Sequence, residues 1–210
     1  MRRSAELRRN LAYAAFWPFF GLCFYALEWL VPGRVYHVMY HPVDDLIPFC
    51  ELFLIPYLFW FLFMVGAYVY TFFAEPEAFR RMMVFYMIVF GVSTLVFFLY
   101  PTCQNFRPEV FPRDNLLTRT MGLLYDLDTN TNVCPSLHVS GGIGAALGFV
   151  ATKRFSTRGW KIINTLIAAC ICASTVFVKQ HSVIDVFWGL VLSYAAWKLA
   201  FRRPMQNGER

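Results

Sequence analysis

Charged residues are scarce in this chain. Asp, Glu, Lys and Arg make up 15% of its 210 residues, against 58% that are apolar; soluble domains carry roughly 25% charge and 45–50% apolar residues. The apolar excess comes in blocks of about 20 residues, the length of a membrane-spanning helix. That leaves no room for a separate soluble domain. Low-complexity segments and internal repeats are missing too, so residues 1–210 read as one polytopic membrane domain. Metal-ligand spacings are also missing. Cys23, Cys170 and Cys172 lie inside apolar runs, where a thiol acts as a small hydrophobe, and Cys170-Ile171-Cys172 has no partner cluster. Cys103 and Cys134 bracket the longest polar loop, which allows a disulfide in an oxidising compartment and equally allows two free thiols. The N-terminus has neither the short apolar core nor the small-residue cleavage site of a signal peptide, which predicts a retained first helix.

Six apolar runs are present: 11–31, 50–73, 82–100, 136–152, 162–178 and 183–201. Pro18 is expected to kink the first, and Pro32-Gly33 to end it. A possible short amphipathic helix lies near 116–124. Gly141, Gly142, Gly144 and Gly148 in the fourth run predict close helix packing. The expected fold is therefore all-α, with six transmembrane helices. The net charge of +6 does not point to nucleic acid, because the basic residues sit in short loops between the runs. Of the 19 Lys and Arg residues, 14 fall on the side of the two termini, which predicts that both termini are cytoplasmic. The other side holds Arg34, Arg107, Arg113, Arg119 and Lys179.

The residues able to do chemistry cluster at run boundaries on that outer side. His181 and Asp185 are one helical turn apart, so their side chains meet. A carboxylate on one ring nitrogen fixes the tautomer and frees the other nitrogen. An Asp early in a membrane span is costly unless it is paired or in a wet cavity. A simple helix cap made of His and Asp is the plainer alternative. Ser136 is a good N-cap after Pro135, and the free amides of a helix start attract phosphate. His138 lies in that first turn, either facing the same anion or as an ordinary interfacial histidine. Arg107 can grip two phosphate oxygens, and Lys179 can add a second positive charge; both also read as solvated loop residues. Two histidines and a carboxylate gathered on one membrane face suggest phosphoryl transfer. Asp44, Asp45, Asp126 and Asp128 are expected to be solvated or in contact with head groups rather than metal ligands.

The order Arg107-Pro108, then Pro135-Ser136-Leu137-His138, then Ser174 with His181-Ser182-Val183-Ile184-Asp185, resembles the type 2 phosphatidic acid phosphatase superfamily over about residues 80–200. Tyr100 stands where that family carries lysine, Thr175 where it carries arginine, and Leu137 where it carries glycine. Lys179-Gln180-His181 and Pro-Ser-Leu-His are similar to the branch with inositol phosphorylceramide synthase-like and sphingomyelin synthase-like phosphotransferases. The resemblance implies that His181 attacks phosphorus to form a phosphohistidine and that Asp185 orients it. It implies that His138 protonates the leaving oxygen and then activates water or an alcohol. Arg107, Lys179 and Ser136 would hold the phosphate oxygens, with no cofactor or metal. The implied protein is an integral-membrane lipid phosphatase acting on phospholipid or polyprenyl phosphate at the outer face, or alternatively a lipid phosphotransferase. A transporter with a proton relay, or an intramembrane serine protease using Ser136 or Ser140, is a more distant reading. Neither the lipid nor an oligomeric state is legible.

Overall fold

The structure, a computed structural model, describes residues 2–29 and 34–202. Helix α1 (Arg2–Ala14) and helix α2 (Phe16–Trp29) are separated only by Ala15. The break follows from Pro18, which has no N–H for the Ala14 carbonyl and whose ring crowds it. The expected stop at Pro32-Gly33, and the tail with Arg203 and Arg210, lie outside the described residues.

A short helix α3 (Val43–Leu46) and a 3-10 turn (Glu51–Phe53) lead into α4 (Leu54–Ala74). Glu75 alone joins α4 to α5 (Pro76–Leu99). Proline is tolerated at a first helical turn because its missing N–H is unneeded there, so α5 begins six residues before the expected Met82. Arg81 therefore lies within α5, bonded to Glu77 at 2.9 Å and to the Phe201 carbonyl at 3.0 Å. Two short parallel strands, β1 (His37–Val38) and β2 (Thr102–Cys103), tie the loops together. Then come α6 (Leu116–Leu127), α7 (Leu137–Val150), α8 (Arg158–Phe177) and α9 (Val183–Ala200). The amphipathic α6 starts on a capping box between Asn115 and Thr118. Cys103 and Cys134 are free thiols.

Five helical stretches are long and apolar enough to cross a membrane: Ser4–Glu28, Glu51–Ala74, Pro76–Leu99, Arg158–Phe177 and Val183–Ala200. Their outward faces are apolar, with Phe19, Leu22, Leu62, Phe73, Leu95 and Phe98 all exposed, as a lipid-facing surface requires. The chain is a mostly helical, multi-pass membrane protein. The fourth apolar run is different. Helix α7 has 14 residues and spans about 21 Å at 1.5 Å per residue, less than the ~30 Å of a hydrocarbon core.

Helix α7 is instead the buried axis of the bundle, packed by α4, α5, α8 and α9. Small residues make this possible. A Cβ at Gly144 would lie 2.3 Å from Tyr86 Cε1, and one at Gly141 2.7 Å from Trp60 Nε1. Tyr86, on α5, is fully buried and donates to the Gly141 carbonyl at 3.1 Å. The close packing expected of the glycines is what fixes the start of α7, and with it His138.

Candidate active site

The first residues of α7 and α9 meet at one end of the bundle. The Ser136 amide donates to the Asp185 carbonyl at 3.1 Å, and Ser140 Oγ reaches the Gly189 carbonyl at 3.4 Å. The loops holding the two motifs are thereby sewn together. The ring centroids of His138 and His181 are 5.8 Å apart.

Asp185 is fully buried. Its Oδ2 lies 3.3 Å from His181 Nδ1 and accepts the Ser182 amide at 2.9 Å. This contact suits the tautomer in which Nδ1 donates to the carboxylate, and in that neutral ring Nε2 keeps its lone pair. The His181 amide donates to the Thr175 carbonyl at 3.0 Å, as does that of Gln180. Thr175, which stands where the resembled family has arginine, thus contributes its backbone.

His138 is clamped between two rings of α4. Tyr57 and Trp60 each lie 4.3 Å from it, centroid to centroid. Its Nε2 is buried with no hydrogen-bond partner. Ser136 is also fully buried, and its hydroxyl accepts the Val139 amide at 3.4 Å as the helix cap.

The two expected phosphate-binding cations are engaged elsewhere. Arg107 donates to the carbonyls of Tyr125 (3.0 Å), Asp128 (2.9 Å) and Thr129 (2.9 Å) and to Gln180 Oε1, with its guanidinium 4.5 Å above the Tyr125 ring. It staples the end of α6 to the His181 loop. Burial pushes its pKa down, opposed by Asp128, Tyr125 and Tyr57. Lys179 adopts φ of 54° and places its ammonium on the carbonyls of Asp44 (2.7 Å) and Ile47. Tyr100, at the expected lysine position, stacks on His37 at 4.0 Å.

Two carboxylates expected to be solvated are not. Asp44 is 3% exposed. Its Oδ2 accepts from Ser182 Oγ at 2.6 Å and the His41 amide at 2.8 Å, and its Oδ1 accepts the Val183 amide at 2.8 Å. It caps α9 from helix α3, 138 residues away. Asp128 stands beside the histidines; its Oδ2 accepts from Tyr57 Oη at 3.3 Å and Gln180 Nε2 at 3.1 Å. Burial raises its pKa above the ordinary carboxylate range, opposed by His181, Arg107 and the Tyr57 hydrogen bond. Asp45 and Asp126 are exposed, as expected. Nothing in the sequence marked Asp44, Tyr57 or Trp60.

A cavity of about 390 Å³ opens onto the pair. Its polar side is formed by His138, His181, Gln180, Asp128, Thr129 and Asn132, and its apolar side by Phe20, Phe24, Phe61 and Phe90 among others. Such a site suits a ligand with a polar head and an apolar body. Among the described residues, no group of three or more His, Cys, Asp or Glu side chains converges to hold a metal ion.

No curated protein and no solved structure matches the chain. A family model described as PAP2 superfamily matches residues 81–209, more than half of the chain and all of the His138–His181–Asp185 constellation. With a membrane bundle carrying that constellation at one end, the chain belongs to the PAP2 superfamily, whose members are phosphatase- and phosphotransferase-type enzymes.

Proposed function

We propose that this protein transfers a phosphoryl group from a lipid through a phosphohistidine on His181, in a six-span topology with α7 as the short fourth span. In this reading the site lies on the non-cytosolic face and both termini are cytosolic, as the distribution of basic residues supports. The observation that carries it is the pair itself: two imidazoles 5.8 Å apart, one of them held by a buried carboxylate.

His181 Nε2 attacks phosphorus along its free lone pair. The N–P bond forms, the bond to the lipid oxygen breaks, and protonated His138 gives its proton to that oxygen. Asp185 stabilises the positive charge that the ring then carries. In the second step His138 takes a proton from the acceptor, whose oxygen attacks phosphorus and releases His181. The amides opening α7 favour the anion, and Ser136 fixes their direction by capping the helix. Arg107 and Lys179 hold the loops around the pair, and their charge adds to the field at the phosphate.

Water as acceptor makes the protein a lipid phosphatase, acting on a lipid phosphate or diphosphate. An alcohol makes it a phosphotransferase. The second reading is favoured by Asp128, an acceptor placed where a hydroxyl can lie. Incubating the purified protein with labelled phospholipid, with and without candidate alcohols, separates them. Free phosphate identifies the hydrolase, and a new phospholipid identifies the transferase. If neither product depends on His181, the proposal is wrong.

A further inference from the structure

Two of the described residues other than glycine have positive φ, Asn132 and Lys179, each at 54°. Asparagine visits that region readily, whereas the Cβ of a lysine crowds the following carbonyl there. Lys179 stands just past the C-cap of α8, where a left-handed residue is usually glycine. Its amide donates to the Val176 carbonyl at 3.2 Å, and the Gln180 amide to the Thr175 carbonyl at 3.0 Å, the bonding of a Schellman turn. Neighbours hold this strained turn in place. The Phe177 carbonyl accepts from the Cys50 amide at 3.0 Å, and the Val178 carbonyl from Tyr125 Oη at 2.7 Å. The backbone at 179 thus favours glycine, and the reason for a lysine lies in its side chain.

Lys179 does not line the cavity beside the histidines. Its ammonium reaches the carbonyls of Asp44 (2.7 Å) and Ile47, within α3 and just past its end. The carboxylate of the same Asp44 accepts from Ser182 Oγ and the Val183 amide. The stretch carrying His181 is therefore fastened to one residue on both sides. Lys179 holds the Asp44 backbone two positions before the imidazole, and Ser182 holds its carboxylate one position after. Asp44 lies outside residues 81–209, which match the family, so the motif-bearing residues do not supply this buckle by themselves.

We propose that Lys179 is a positioning residue: by holding the Asp44 carbonyl it keeps the Asp44 carboxylate on Ser182 and so sets the His181 ring, without touching the phosphate. This rests on the phosphohistidine reading and adds the device that aims the nucleophile. The strain of a left-handed lysine is offset by the link that its side chain makes to α3.

The test uses the full-length protein with Lys179→Ala, Lys179→Gly, Asp44→Ala and the pair Lys179→Gly with Asp44→Ala. Diacylglycerol release from mixed micelles of phosphatidate or of phosphatidylglycerol gives kcat and KM. Both Lys179 variants are expected to lose about tenfold or more in kcat, the scale of a slightly misplaced reacting group, with KM changed by no more than about twofold. Lys179→Gly is expected to unfold at the higher temperature of the two, since only alanine keeps the strain. Adding Asp44→Ala to Lys179→Gly is expected to cost no more than about twofold further, because one link is broken twice. Diethyl pyrocarbonate reads the ring without any substrate. It is expected to modify His181 about threefold or more slowly in both Lys179 variants, as the ring loses the carboxylate that raises the basicity of Nε2.

Activity that returns in Lys179→Gly in step with its unfolding temperature gives Lys179 a role in stability alone and overturns the proposal. So do losses that multiply in the double variant, and unchanged or faster modification of His181. Turnover that survives His181→Ala is instead a failure of the phosphohistidine reading. A measurement on the wild type needs no folded variant: acetylation of Lys179 by acetic anhydride, with and without orthovanadate at a concentration that shields His181 from diethyl pyrocarbonate. Equal acetylation is expected, and shielding of Lys179 by the anion overturns the proposal, because it places the ammonium on the phosphate.

Discussion

Ser182 Oγ donates to Asp44 Oδ2 at 2.6 Å, and both residues are buried. The Ser182 amide donates in turn to the Asp185 oxygen that faces His181. The orientation of His181 is thus traced through one serine to the short helix α3. Asp44→Ala would leave the buried Ser182 Oγ without its acceptor, at about 1–3 kcal/mol, and the half-buried Val183 amide without its own. The expected outcome is a lower unfolding temperature together with a fall in kcat that exceeds the change in KM. Asp44→Asn, which can still accept from Val183, should recover most of the stability. Thermal unfolding and steady-state kinetics on both variants check this, and a rise in KM alone would remove Asp44 from the positioning chain.

Gly144 is where α7 touches α5. A methyl group there meets Tyr86 at 2.3 Å and Phe85 at 2.9 Å. Gly144→Ala is expected to cost about 1–3 kcal/mol through overpacking and to shift His138, which shares the helix. Gly21→Ala, where a Cβ meets nothing within 4 Å, is the matched control and should be neutral or stabilising. Equal unfolding temperatures for the two variants would contradict the close-packed axis.

Asp128 gives a pH signature. Its pKa is raised from 3.8, first by burial. A carboxyl raised on folding adds stability below its unfolded pKa, and that contribution is lost as pH climbs through the folded value. Asp128→Asn removes this dependence. The unfolding temperature of the variant relative to wild type should therefore rise from about pH 4 upward and level off once Asp128 is ionised in the folded protein. A difference that falls with pH would mean that His181, Arg107 and Tyr57 outweigh burial.

The aromatic clamp on His138 is also testable. Trp60→Leu removes one of the two rings at 4.3 Å while keeping an apolar side chain. It should slow departure of a poor alkoxide leaving group more than that of p-nitrophenolate, since only the former needs a well-placed proton. Equal slowing would show that the clamp serves packing alone.

Much of the scaffold was legible because lipid forces long apolar runs. The amphipathic α6 and the Ser136 N-cap follow from local patterns. So did the meeting of His138, His181 and Asp185, because two successive apolar runs bring their boundaries back to one end. The start of α5 was misplaced because Arg80 and Arg81 looked like loop charges, yet Pro76 opens the helix before them. Asp44 and Asp128 were illegible as site residues. Each is fixed by partners far off in sequence, Ser182 for one and Tyr57 with Gln180 for the other. The positions of Arg107 and Lys179 could not be read either, because a basic residue in a loop pairs as readily with carbonyls as with phosphate.

The most direct measurement is the covalent intermediate. Wild-type protein mixed with substrate labelled at phosphorus and quenched in alkali within one turnover is expected to carry label on His181, located by peptide mass spectrometry. His138→Asn should change how much label accumulates, and His181→Ala should carry none. Label on His138, on a serine, or on no residue while product forms in that turnover would contradict the account.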